Sequence, residues 1–551
     1  MTASASDAAS TTPAGSEDLP ECLRLAEDVT VHPPGDPDAP WMIQRGADRY
    51  YRVGSDVARL AQALDGRRDV DALVERLGGP WRRTSVLTVL RTLHEQKLLD
   101  DGQDRAPGRD RRVKFVPPLT VQFTLLRPER LLARLRPLTA RLAARPGAVA
   151  ALAVTLGGVF ALAAQAPAVG DALGKPLSVG VYVTVVCAFF ASTALHEFGH
   201  GAVLTYYGGR PARIGVMLFY LAPAFFCDVT DGWRLPRARQ RVHVALAGVA
   251  VQGVIAGATG MLAAALPAGD ARSGALLFSC VAYVSCLLNL LPLVKLDGYL
   301  ALMSHLDIPY LRDRAMSDAR GFLSRMLFGG RHPRALDTPW SVPFGLACMA
   351  FPVYMLTTGL TIWSDLFLAM GVFGTFALAG VLAYLAYLWG KGLLHLIREA
   401  RKTGAGTARV CLATGALAIA LTGMLAGVKA PYTVTGAYVR QGDHVDLVLA
   451  STADQGIVRE GAQVVLEQAG LVTSTQTGRG AVASAEGERG GAPMTLFAPV
   501  RMEDAPHLAV VTYPLSVAEA PSAPTGTAQV DGGDVPLGKL LYLKITAPWR
   551  R

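Results

Sequence analysis

The chain has 551 residues, of which 51% are hydrophobic and only 18% charged. Soluble domains carry about 25% charged residues, so an ordinary soluble protein is excluded. The formal net charge is +9, but the Lys and Arg fall in short runs beside apolar blocks, which fits membrane orientation and gives no reason to expect a nucleic-acid partner.

Residues 1–19 are Ser-, Ala-, Thr- and acid-rich without an apolar core, so a disordered tail is expected rather than a signal peptide. Residues 20–102 read as a small α+β domain of winged-helix type. Trp41 to Ile43 and Arg49 to Val53 are strand-like, around a Gly/Asp turn. Three helices follow: one on Val57, Leu60, Ala61 and Leu64, one on Val70, Leu73, Val74 and Leu77, and one on Val86, Val89, Leu90, Leu93 and Leu98. The third carries Arg82, Arg83, Arg91 and Lys97 but also Glu95, Asp100 and Asp101, a poor surface for reading DNA. Residues 103–144 are expected to be a basic linker.

The membrane part is expected over 145–428. Candidate spans are 148–168, 178–204, 242–267, 274–296, 342–362, 366–390 and 408–427, each long enough to cross a bilayer. Basic residues cluster before the first span and after the second, fourth and sixth. This puts the N-terminus in the cytoplasm and the C-terminus outside, in a multi-pass protein of the plasma membrane. Residues 211–227 are apolar but short, with arginines at both ends, and fit a re-entrant loop or hairpin better than a span. Residues 429–551 read as an exocytoplasmic β-rich domain. Strands are expected at Tyr432 to Val434, Val445 to Val448, Val464 to Leu466, Leu508 to Val511 and Leu540 to Ile545, with Gly/Ser/Ala-rich loops at 474–492 and 519–534. The seven cysteines form no CxxC pair and are expected to be reduced packing residues.

Chemistry concentrates in the second span. His196 and His200 stand at i, i+4, so a helix sets both imidazoles on one face, and two ligands on one rigid helix can hold a Zn²⁺ ion. Glu197, beside them, is placed to act as general base toward water on such an ion. A charged group within a span costs about 2.5 to 3.5 kcal/mol, which makes three polar groups in this apolar stretch a functional signal. Asp297, followed by Gly298, is the best third ligand: it closes the fourth span, where Pro292 breaks the helix, at the same membrane depth as His200. With three protein ligands the zinc keeps an open position, as catalytic sites do; Cys227 is the least implausible fourth ligand.

His-Glu-Phe-Gly-His at 196–200, followed by Asn289-x-x-Pro292-x-x-x-x-Asp297-Gly298, resembles the site-2 protease family of intramembrane zinc metalloproteases. The resemblance covers about residues 180–300. It implies one Zn²⁺ per chain held by His196, His200 and Asp297, Glu197 as the catalytic base, and Asn289 engaging the substrate backbone or oxyanion. The third span departs from the family, reading Ala247-Gly248-Val249-Ala250-Val251-Gln252 where relatives often have Gly-Pro and a later Asn. Residues 228–236 resemble the large bacterial peptide zinc metalloproteases of peptide maturation, a daptide-like branch. The same loop also reads as an interfacial segment with Trp233 as anchor.

The 20–102 pattern resembles the leader-recognition element of ribosomally made peptide pathways, as in the peptide chaperone of pyrroloquinoline quinone biosynthesis. This implies a leader peptide added to a sheet edge. Val458-x-x-Gly461-x-x-Val464 is similar to turns in the outer domain of membrane-fusion adaptors. Together these resemblances imply leader removal from a precursor peptide, in contact with membrane lipid and with the modifying enzymes or exporter of the same pathway. Two other functions remain open: regulated intramembrane proteolysis of a signalling protein, or a non-catalytic export or immunity partner.

Overall fold

The computed structural model describes residues 23–34, 41–45, 49–100, 113–116, 120–219, 222–329, 334–369, 371–402, 404–470, 474–498, 500–502, 504–517 and 521–546. The expected tail, Cys22, the turn at 46–48 and the start of the expected linker lie outside these residues. The chain divides into two compact units, one of residues 1–153, 190–254 and 300–307, the other of 154–189, 255–299 and 308–551.

The first unit begins with β1 (Val29–His32), β2 (Trp41–Arg45) and β3 (Arg49–Val53), then α1 (Ser55–Ala63), α2 (Val70–Leu77) and α3 (Arg83–Glu95). The strands form an antiparallel sheet in the order β1-β2-β3, one strand more than expected. The apolar stripes of the helices meet it in a core of Ile43, Leu60, Leu73, Leu90 and Leu98. Asp69 caps α2, its Oδ1 accepting from Ala72 N–H at 2.9 Å, a contact worth about 1 kcal/mol.

The stretch expected as a linker carries β4 (Val113–Val116), β5 (Thr120–Leu126) and α4 (Glu129–Ala143). Val121, Phe123 and Leu125 alternate with Gln122 and Thr124, a strand period that the surrounding arginines obscure. Residues 211–227 form the hairpin β7 (Ile214–Phe219) and β8 (Ala222–Cys227). β5 pairs with β7, giving an antiparallel sheet in the order β4-β5-β7-β8. A segment too short to span thus satisfies its backbone by pairing.

Among the described residues, seven helices are long and apolar enough to cross a membrane, and the chain is a multi-pass membrane protein. They are α5 (Arg145–Ala164), α7 (Val179–Tyr206), α8 (Ala238–Ala265), α9 (Asp270–Leu290), α14 (Thr407–Gly427) and parts of α12 (Ser341–Ala369) and α13 (Gly371–Lys402). Shorter pieces lie between them: α6 (Ala166–Gly174), β6 (Leu177–Ser178), α10 (Asp297–Leu306) and α11 (Leu311–Phe328). Within the second unit small residues allow close helix approach. A Cβ on Gly158 would lie 2.2 Å from the Gly257 Cα, and Tyr283 Oη donates to the Thr155 carbonyl at 2.6 Å.

The C-terminal region of the second unit holds β9 (Lys429–Gln441), β10 (His444–Ala450), β11 (Gln463–Ala469), β12 (Ser474–Val482), β13 (Glu488–Pro493), β14 (Val500–Arg501), β15 (His507–Val517), β16 (Thr525–Pro536) and α15 (Leu537–Thr546). Six antiparallel strands close on themselves in the order β9-β10-β15-β12-β11-β16, and β13 adds to β15. Closure removes the exposed edges an open sheet would leave. Tyr432, Tyr438, Leu447, Leu466, Tyr513 and Val530 fill the interior. Two expectations are corrected here. The segments expected as loops hold β12, β13 and β16, because a small barrel needs glycines where aromatic rings fill it: a Cβ on Gly526 would lie 2.6 Å from the Tyr438 ring. Leu540 to Ile545, expected as a strand, lies in α15, since a short apolar run carries no period to separate strand from helix.

Candidate metal centre

Helix α7 is apolar over its first four turns and becomes polar at His196. One helical turn brings the two histidines together: His196 Nε2 and His200 Nε2 are 3.2 Å apart. Both side chains are buried, each 5% exposed. The rings stand edge to face, centroids 4.8 Å apart. His200 Nδ1 lies 2.7 Å from the carbonyl of Val244 on α8. A carbonyl can only accept, so Nδ1 carries the proton and the neutral ring offers its lone pair at Nε2. This backbone hold orients a metal-binding histidine.

Glu197 lies beside the pair. Its Oε2 accepts from the Cys227 N–H, at the end of β8, at 2.8 Å. The hairpin thus fixes the carboxylate that sequence spacing marks as a base. Burial pushes the Cys227 thiol well above its usual range, and the carboxylates of Glu197 and Asp228 push the same way.

Helix α8 crosses α7 at very short range. A Cβ on Gly248 would come within 2.4 Å of His200 Nε2 and 2.5 Å of His196 Nε2. A Cβ on Gly199 would meet Val251 Cγ2 at 2.9 Å. Glycine at 199 lets the helices touch, and glycine at 248 lets the α8 backbone lie directly against both nitrogens, with no room for a side chain between.

One ligand atom from each of His196, Glu197 and His200 lies within 4.8 Å of the others. Two converging imidazole nitrogens, one with its tautomer held, beside a carboxylate, fit a zinc ion.

Asp297 and Asn289 belong to the second unit and are placed within it. Asn289 lies in the last turn of α9, half-buried. The helix ends at Leu290, just before Pro292, as expected. Asp297 opens α10 after a six-residue turn rather than closing the fourth span. A Cβ on Gly298 would lie 2.1 Å from the Leu290 carbonyl oxygen, so only glycine fits after Asp297. Arg312 Nε braces this turn, donating to the Leu293 carbonyl at 3.1 Å.

In the 228–236 loop the tryptophan that suggests an interfacial anchor also makes contacts within the protein. The Trp233 ring receives two guanidinium groups, Arg52 of β3 at 5.5 Å and Arg241 of α8 at 5.9 Å. Arg241 is buried and donates to the Leu235 carbonyl at 2.8 Å and to Asp307 Oδ1 at 2.5 Å. Arg52 donates to the same oxygen at 2.7 Å. Asp231, also buried, accepts from the Arg210 N–H at 2.7 Å and from Arg234 at 3.1 Å. The loop is therefore a platform on which the N-terminal domain rests. A cleft of about 580 Å³ opens beside it, with His32, Gln44, Arg127, Arg210 and Arg234 in its wall.

Sequence reasoning missed Gly248, the Val244 carbonyl and the Cys227 N–H. The last two are backbone groups and carry no residue signal. Gly248 stands four residues after Val244, in an apolar helix where a small residue signals only close packing.

Over 130 residues the chain is 27% identical to "Putative peptide zinc metalloprotease protein YydH" of Bacillus subtilis (strain 168), an alignment covering 23% of this chain and 50% of that one. The chain thus spans about half the length of the curated relative it matches. No protein-family model matches, and no solved structure matches. The likeness is to a zinc metalloprotease, and the His-Glu-His group supplies ligand types that such an enzyme needs.

Proposed function

We propose that this chain is a zinc endopeptidase of the site-2 type, which hydrolyses a peptide bond of a precursor peptide at the membrane and removes its leader. The observation that carries this reading is the pair of Nε2 atoms 3.2 Å apart with Glu197 alongside. His196 and His200 would hold the zinc. Asp297 would complete the ligand set, on the strength of the Asn289-to-Gly298 motif. Zinc, when bound, supplies Lewis acidity toward water and the scissile carbonyl.

The remaining steps belong to side chains. Glu197 takes a proton from water as the water oxygen bonds to the carbonyl carbon, and delivers it to the departing amine as the C–N bond breaks. The Cys227 N–H keeps the carboxylate aimed. Asn289 would hold the substrate backbone or the oxyanion. The N-terminal domain would take the leader as an added strand; β1 and β3 are the outer strands of its sheet, and strand addition needs such an edge. The cytoplasmic side is assigned to this domain, and the outer face of the plasma membrane to the barrel, by the arginine distribution. Modifying enzymes or an exporter of the same pathway would be its partners.

The test is co-expression of the full chain with a candidate precursor and measurement of the peptide mass. The wild type should release a leader and Glu197→Gln should not. Equal cleavage by both would remove Glu197 from the catalytic role.

A further inference from the structure

Helix α4 (Glu129–Ala143) has two unlike faces that the peptidase reading does not use. Leu132 is 1% exposed. It is seated beside Gly201, the residue after His200, whose added Cβ would meet Leu132 Cδ1 at 2.9 Å. Away from this contact, Leu131, Leu135, Leu138 and Leu142 are 45%, 38%, 51% and 61% exposed. At 3.6 residues per turn these four fall within about 60° of one another, a single stripe. Arg130, Arg134 and Arg141 run along one side of the stripe, within about 100° of its centre.

A stripe of four leucines facing water is unfavourable, and a cationic border beside it is the pattern of a helix lying in a membrane interface. Chain continuity places this helix at a membrane surface. Only Ala144 separates α4 from α5, the 20-residue span that begins at Arg145. The end of the helix is therefore one residue from the span.

We propose that α4 is an interfacial helix that binds anionic phospholipid, with the leucine stripe in the acyl boundary and Arg130, Arg134 and Arg141 at the phosphates. Its buried face, through Leu132, abuts the helix that carries the histidines. Lipid at one face of α4 thus backs α7 at the other.

The occupant can be read directly. A photo-reactive amino acid replaces Leu138 in the full chain, which is reconstituted in phosphatidylcholine vesicles with a minor share of phosphatidylglycerol. Cross-linked products are then weighed. Lipid adducts are expected, with phosphatidylglycerol enriched about fivefold over its share of the bilayer, the effect of one arginine near an anionic surface. Replacing Arg130, Arg134 and Arg141 together by Gln should bring the ratio down to the bulk share, and replacing them by Lys should preserve it. Cross-links to a second copy of the chain, or no lipid adduct at all, would overturn the lipid assignment. A ratio unmoved by the Gln replacements would overturn the role of the arginines.

Discussion

The metal centre and the C-terminal barrel both depend on glycine, against neighbours of unlike chemistry. In the barrel, Gly526 is small because the Tyr438 ring occupies the space a side chain would take. Beside the histidines, Gly248 is small because two imidazole nitrogens lie where its side chain would go. The first glycine completes a packed core. The second lets a helix backbone lie against two candidate ligand atoms. Small residues in the two regions look alike in the sequence, and only the neighbours tell packing from function.

The sharpest way to break this contrast is at the carboxylate. Glu197→Gln should lower precursor cleavage by a factor of about 10² to 10⁴, the range for losing a general base, while zinc content stays at the wild-type level. Next come the two glycines as a pair. Gly248→Ala should sharply reduce bound zinc, measured by metal analysis. Gly526→Ala should leave zinc unchanged and destabilise the barrel by about 1 to 3 kcal/mol, measured by thermal unfolding. If both variants lost only stability, Gly248 would be another packing residue. A smaller effect is expected at the platform. Asp307→Asn removes the charge shared by Arg52 and Arg241 and should speed amide exchange in β3 about fivefold, corresponding to about 1 kcal/mol for a partly exposed pair. The smallest change is local: Asp69→Ala should cost about 1 kcal/mol through the lost cap, with no change in zinc.

What could be read in advance follows the same division. His196, Glu197 and His200 were legible because their meeting is local, set by one turn of one helix. Gly248 was not, because its role depends on a second helix crossing the first. The apolar spans stood out by length and composition, whereas α4 was obscured by its arginines even though its leucines repeat at helical spacing. β12 and β16 were obscured by their glycines, which suggest loops until the barrel interior shows what they accommodate. α15 shows the limit of short apolar runs, whose six residues fit either strand or helix. Trp233 has a common meaning at membrane interfaces, and its contact with Arg52 joins positions far apart in the chain.

Zinc stoichiometry tests the central claim most directly. Purified wild type should carry one zinc per chain, and His196→Ala, His200→Ala and Asp297→Ala should each lose most of it while remaining folded and monodisperse. Full zinc retention in the two histidine variants would contradict the assignment of this cluster as the metal centre, and retention in Asp297→Ala alone would remove that residue from the ligand set.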